Sequence, residues 1–131
     1  MSDYLLDTNI LIYQLWGNQK VITLLTELAN DGDFYISAAV RTEILAGMRP
    51  HEEAKTLDLL KNLISLPVDN PIADRAGRLL YQYVRRGIKL SLPDVLIAAT
   101  ALEHTLTLVT TNAKHFPMPE LTLHLVTQLE L

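Results

Sequence analysis

The sequence predicts an α/β fold of three layers, α/β/α, on a mainly parallel five-stranded sheet. Two observations predict it. Short apolar runs alternate with helix-length stretches carrying an apolar stripe, the pattern of strand–helix–strand units. Turn and capping residues also punctuate the chain between these runs, with no repeat, low-complexity tract or linker. At 131 residues and 14.7 kDa, residues 1–131 are expected to form a single domain with one core.

Tyr4-Leu5-Leu6, between Asp3 and Asp7, reads as the first strand. An apolar helical stretch follows from Ile10 to Trp16 and is broken by Gly17-Asn18. Val21, Ile22, Leu24, Leu25, Leu28 and Ala29 then recur at helical spacing. Asn30-Asp31-Gly32-Asp33 is a turn signal ahead of the second strand, Phe34-Tyr35-Ile36-Ser37. Ala38 to Met48 reads as a helix stopped by Pro50, and Glu52 to Leu63 as another. Leu66-Pro67-Val68 is the candidate third strand, weakened by its proline.

Pro71 suits a first helical position, and the apolar stripe of Ile72, Ala76, Leu79, Leu80, Tyr83 and Val84 runs on to Gly87. Ser91 and Pro93 open a helix over Asp94–Glu103. Thr107–Thr110 is expected as strand four and Leu121–Val126 as strand five.

Composition removes several function classes. The chain is 49% hydrophobic and 20% charged, the balance of a soluble globular protein. It contains no cysteine, so disulfides, thiolate metal sites and thiol catalysis are excluded. His51, His104, His115 and His124 lack the i, i+4 spacing of a helical zinc site. The N-terminus has no basic segment leading into an apolar one, and the apolar run Val95–Leu102 is far shorter than the ~20 residues of a membrane span. A cytoplasmic protein is expected. The net charge of −4 argues against binding nucleic acid by bulk electrostatics. Acids that hold a metal ion add to that count, however, while presenting a positive site once loaded.

Four positions carry candidate chemistry: Asp7 in LLDTNILI, Glu43 in AAVRTEILAG, Asp94 in SLPDVLIAATAL and Asn112 in LVTTNAKHF. In open α/β sheets ligands bind at the carboxyl ends of the strands. Asp7 closes strand one and Asn112 follows strand four. Glu43 lies within about two turns of the start of a helix that begins on that edge, and Asp94 lies in the first turn of the helix leading back to strand four. Acids gathered there without a basic neighbour are costly unless a cation neutralises them. Hard oxygen donors without histidine or cysteine suit Mg²⁺ or Mn²⁺. Such an ion, keeping several waters, serves phosphodiester hydrolysis.

Each residue also has a local explanation. Asp7 can cap the following helix, Asp94 can complement a helix dipole, Glu43 can be a solvated helix acid, and Asn112 can be a turn residue. Convergence on one edge separates the two accounts, since independent caps need not share it.

At these residues the chain resembles the PIN-domain family, in particular the small VapC-type toxins of toxin–antitoxin pairs. LLDTNILI resembles the first motif, RTEILAG the second, DVLIAATA the third and LVTTNAKHF the fourth, in order along nearly the whole chain. The resemblance implies a five-stranded parallel sheet and a Mg²⁺- or Mn²⁺-dependent endoribonuclease. It also implies a homodimer inhibited by a cognate VapB-like antitoxin. Carried over by position, Asp7, Glu43 and Asp94 would be metal-binding acids. Asn112 would take the fourth catalytic position, where many relatives have aspartate; an amide adds no charge there, which bears on a second ion. Thr8 and Thr110 are candidates to hydrogen-bond the acids or satisfy local backbone. His115 and Phe116 are expected to serve structure, with Phe116 in the core and a weaker role for Lys114 or His115 in holding RNA.

Arg75, Arg78, Arg85 and Arg86 fall on the polar side of the helix after Pro71. They read either as a solvated face or as a phosphate-tracking stripe leading toward Asp94. Tyr13, Trp16, Val21 and Leu25 form an apolar face for the core or for a partner. Two other functions compete: a PIN-like module that binds RNA or protein without cleaving, and a receiver-type phosphoacceptor. The latter lacks its lysine near the last strand. No phosphate-binding glycine loop or serine nucleophile elbow is present.

Overall fold

The computed structural model describes residues 3–127. The elements are β1 (Tyr4–Leu6), α1 (Thr8–Leu15), α2 (Gln19–Leu28), β2 (Phe34–Ser37), α3 (Ala38–Gly47) and α4 (Glu53–Lys61). They continue with β3 (Ile64–Leu66), α5 (Asn70–Arg85), α6 (Leu92–His104), β4 (Thr107–Thr110) and β5 (Leu123–Leu125). Short 3₁₀ turns cover Pro50–Glu52 and Ala113–His115.

The strands form one sheet in the order β3-β2-β1-β4-β5, and every pairing is parallel. Leu5 and Leu6 on β1, and Leu108 and Val109 on β4, are all fully buried. Successive strand residues face opposite sides of a sheet, so both faces of its centre are covered and the three-layer expectation holds. From β1 the chain steps outward to β2 and β3, then returns to lay β4 on the other side of β1. The strand order therefore reverses between β1 and β4, where open α/β sheets bind ligands at the carboxyl edge.

Local chemistry explains where the helices start. Asn18 accepts from the N–H groups of Lys20 and Val21, Ser37 from Ala39, Asp69 from Ile72, and Ser91 from Asp94. Asp69, rather than Pro71, sets the start of α5, and Pro71 falls one residue later than expected, where its missing N–H costs nothing.

The third strand is the main correction. It occupies Ile64–Leu66, not Leu66–Val68, pairing Tyr35 with Ile64 and Ser37 with Leu66. Pro67 has no N–H to give the ladder, so the strand uses the residues before it. The apolar face around α1 and α2 also divides. Val21 and Leu25 are in the core, whereas Trp16 is 64% exposed and meets Tyr13 edge-on at 5.9 Å.

Candidate active site

Asp7 is placed by the sheet. Its backbone N–H donates to the carbonyl of Val109 at 3.0 Å, extending the β1–β4 ladder by one residue and ending it at α1. The side chain is only 6% exposed. Its Oδ1 accepts the Thr8 N–H at 2.8 Å, and its Oδ2 accepts the Thr110 hydroxyl at 2.7 Å. Capping and site-building are thus one geometry at this residue.

The other sequence candidates gather around it. One depression of about 410 Å³ is lined by Asp7, Thr8, Asn9, Glu43, Ser91, Pro93, Asp94, Asn112 and His115. Glu43, in the middle of α3, is reached by the Thr8 hydroxyl, which donates to its Oε1 at 2.8 Å. Asp94 lies in the first turn of α6, where its N–H donates to Ser91 Oγ at 3.2 Å. Asn112 donates its backbone N–H to Thr110 Oγ1 at 3.0 Å, so one hydroxyl ties the fourth motif to Asp7. Topology therefore brings all four positions to a single edge, and Thr8 and Thr110 both touch the acids.

The electrostatics are uneven. Burial raises the Asp7 carboxyl above its ordinary value; the bonds from Thr110 and Thr8 pull it back, and the charges of Asp94 and Glu43 push it up again. Exposure increases from Asp7, buried, through Asp94, half-buried, to Glu43, exposed.

The site differs from expectation in two respects. Asp94 does have a basic neighbour: Nδ1 of His115 lies 3.3 Å from its Oδ2. Among the described residues, moreover, no three Asp, Glu or His side chains converge into a complete metal-ligand set. The donors are hard oxygens centred on a buried acid without a lysine or arginine against it. That set fits a cation taking one or two carboxylates and keeping its waters, not one enclosed in a protein cage.

The arginines stand apart, and none of the four lines the depression. Arg75 pairs through Nε with Glu103, about 13 Å along α6 from Asp94 at the helical rise. With Arg78 it lines a second depression beside Asp74, Glu103 and Glu120. Arg85 stacks over the Tyr81 ring at 3.5 Å and Arg86 over Tyr83 at 4.8 Å. These two sit at the end of α5 that turns into α6, nearer the acids. The stripe is thus split between the two ends of the helix.

Sequence reasoning passed over Asn9 and gave His115 mainly a structural part. Asn9 Nδ2 donates to Thr111 Oγ1 at 3.5 Å, from the first turn of α1 to the residue after β4. Its place directly after Asp7-Thr8 was the available signal. Phe116, by contrast, is in the core as expected. A larger apolar groove of about 590 Å³ between α2 and β5, lined partly by Leu24, Leu125 and Val126, holds none of these residues.

Comparison with known proteins adds to this geometry. The model of the PIN domain matches residues 4–118. Ribonuclease VapC10 of Mycobacterium tuberculosis is 37% identical over 116 residues, covering 88% of this chain and 87% of the relative. Ribonuclease VapC19 of the same species is 39% identical over 115 residues, covering 87% and 92%. A chain in the crystal structure of VapBC2 from Rickettsia felis, bound to a DNA fragment from their promoter, superposes with a TM-score of 0.83 at 27% identity. It covers 95% of this chain and 98% of its own. A chain in a toxin–antitoxin complex from Klebsiella pneumoniae gives 0.74 at 31% identity, covering 89% and 92%.

Proposed function

This chain belongs to the PIN-domain family, and on that premise we propose that it is a VapC-type endoribonuclease, the toxin of a toxin–antitoxin pair. The observation that carries the reading is Asp7: a buried carboxylate at the strand-order reversal, facing Asp94 and Glu43 with no lysine or arginine beside it. Such a carboxylate is a poor structural element and a good anchor for a cation.

Asp7 and Asp94 would hold Mg²⁺ or Mn²⁺, which when bound supplies positive charge at the phosphate oxygens and acidifies water. The chain's own groups set the stage for in-line attack on phosphorus. Thr110 and the Thr8 N–H hold Asp7 by two donors, fixing the direction of its oxygens. Glu43, exposed and steadied by Thr8, can accept a proton from the attacking water at its free carboxylate oxygen. Asn112 offers an amide without charge, in keeping with one tightly held ion. The products would carry 5′-phosphate and 3′-hydroxyl ends.

The similar proteins are ribonucleases and chains of toxin–antitoxin complexes, which supports RNA as substrate and a VapB-like antitoxin as partner. Among the described residues no helix is long and apolar enough to cross a membrane. Action in the cytoplasm and a homodimer complete the reading.

The test is direct. The purified protein should cut single-stranded RNA in Mg²⁺ or Mn²⁺, stop with chelator, and lose activity in Asp94→Asn. Chelator-resistant cleavage, or an unaffected Asp94→Asn, overturns the reading. A second reading, a non-cleaving module that binds RNA or a protein, is favoured by the incomplete convergence of ligand side chains. It predicts RNA binding with no cleavage under any divalent ion.

A further inference from the structure

We propose that His115 is a specificity-determining residue, whose imidazole hydrogen-bonds the ribose 2′-hydroxyl of the nucleotide at the scissile bond. This inference rests on the ribonuclease reading above. Besides the three acids, the depression is lined by neutral groups (Thr8, Asn9, Ser91, Pro93, Asn112) and a single imidazole. His115 belongs to the 3₁₀ turn directly after Asn112, and its backbone N–H holds it there by donating to the Asn112 carbonyl at 3.0 Å.

The ring is oriented at one nitrogen and open at the other. Nδ1 lies 3.3 Å from Oδ2 of Asp94, and Nε2 has no hydrogen-bond partner among the described residues. The His115 side chain is 56% exposed while that of Asp94 is 21% exposed. The ring therefore lines the depression beside an acid proposed to face the reacting phosphate, half open to solvent. A ribose hydroxyl both donates and accepts, so an imidazole nitrogen in that place meets it favourably and gains nothing from a deoxyribose. The acids cannot make this distinction, because they act on the phosphate, which RNA and DNA share.

The experiment uses an RNA oligonucleotide whose wild-type cleavage site has been mapped, and the same oligonucleotide with 2′-deoxyribose at that nucleotide. Wild type should lose about tenfold in kcat/KM on the deoxy substrate, the worth of one good hydrogen bond. His115→Ala should lose a similar factor on RNA and show little further loss on the deoxy substrate. His115→Gln, which keeps a hydrogen-bonding amide, should recover part of the ribose preference. Mn²⁺ binding measured by calorimetry on each variant reports on the acids independently of cleavage, and His115→Ala should change it less than threefold. A wild-type ribose preference carried over intact in His115→Ala overturns the proposal. So does a loss on RNA that is matched by an equal loss of Mn²⁺ affinity, which makes His115 a support for Asp94 alone. Failure of wild type to cut any RNA would instead bring down the underlying ribonuclease reading, and this inference with it.

Discussion

The Thr110 hydroxyl donates to Oδ2 of Asp7 at 2.7 Å, and both residues are buried at the junction of β1 and β4. The same oxygen accepts the N–H of Asn112. One side chain thereby orients the central acid and anchors the turn that carries Asn112 and His115. Thr110→Val keeps the shape and removes both bonds, leaving a buried carboxylate oxygen and a backbone N–H without partners. We expect a loss of about 1–3 kcal/mol in urea unfolding, with Thr110→Ser close to wild type. A fully stable valine variant contradicts this role.

Ionised Asp7 weighs against the fold when no cation is bound. Its carboxyl is raised chiefly by burial, so the native state holds the proton more tightly than the unfolded chain does. From the ordinary value of 3.8 up to its native value, the folded protein binds more protons and stability falls as pH rises. The penalty is absent below that window and complete above it. Asp7→Asn should therefore be more stable than wild type in chelator at neutral pH, by about 0.5–2 kcal/mol, as when a strained functional site is relieved. The gap should close toward about pH 4. Paired urea titrations across this range check it; an Asn variant less stable than wild type at neutral pH refutes it.

Glu43 is exposed and owes its direction to Thr8. Thr8→Val leaves in place the backbone N–H that donates to Asp7 and removes only the hydroxyl. RNA cleavage should fall about tenfold, while stability stays within about 0.5 kcal/mol of wild type, because the bond removed is a solvent-exposed one. Steady-state kinetics beside a thermal melt separate the two effects. Unchanged kcat removes Glu43's orientation from the account.

Three helices end on the same pair of hydrogen bonds. After α1, Asn18 reaches Tyr13 and Gly17 reaches Gln14; after α5, Ile88 reaches Tyr83 and Gly87 reaches Val84; after α6, Leu106 reaches Ala101 and Thr105 reaches Leu102. The motif needs a left-handed residue, with φ of 75° at Gly17, 76° at Gly87 and 53° at Thr105. Thr105 is β-branched and pays for that conformation. Thr105→Gly should stabilise by about 0.5–1 kcal/mol and Gly87→Ala should cost about 1 kcal/mol. Opposite signs in thermal melts are the check; two changes of the same sign contradict the argument.

How much of this was legible before folding depends on what each residue encodes locally. Asp7 and Asn112 were readable because a polar residue closing or following an apolar strand reports the strand's end, and parallel topology then assigns the edge. Asp94 followed from the helix start that Ser91 announces, and Glu43 from the helix that begins where the second strand ends. The third strand was misplaced because its first residue, Ile64, is half exposed at the sheet edge, so burial leaves little alternation to read there. The contact of His115 with Asp94 bridges two motifs that meet only in the fold, and no spacing signals it. The arginines show the converse. Their common helix face was legible, but the partners that divide them, Glu103, Tyr81 and Tyr83, were not.

The account turns on Asp7 and Asp94 sharing a divalent ion, and calorimetric titration with Mn²⁺ tests that without any assumption about substrate. Wild type should bind, and Asp7→Asn and Asp94→Asn should each bind at least tenfold more weakly, as loss of a ligand carboxylate requires. Equal binding in all three proteins, or none in wild type, contradicts it.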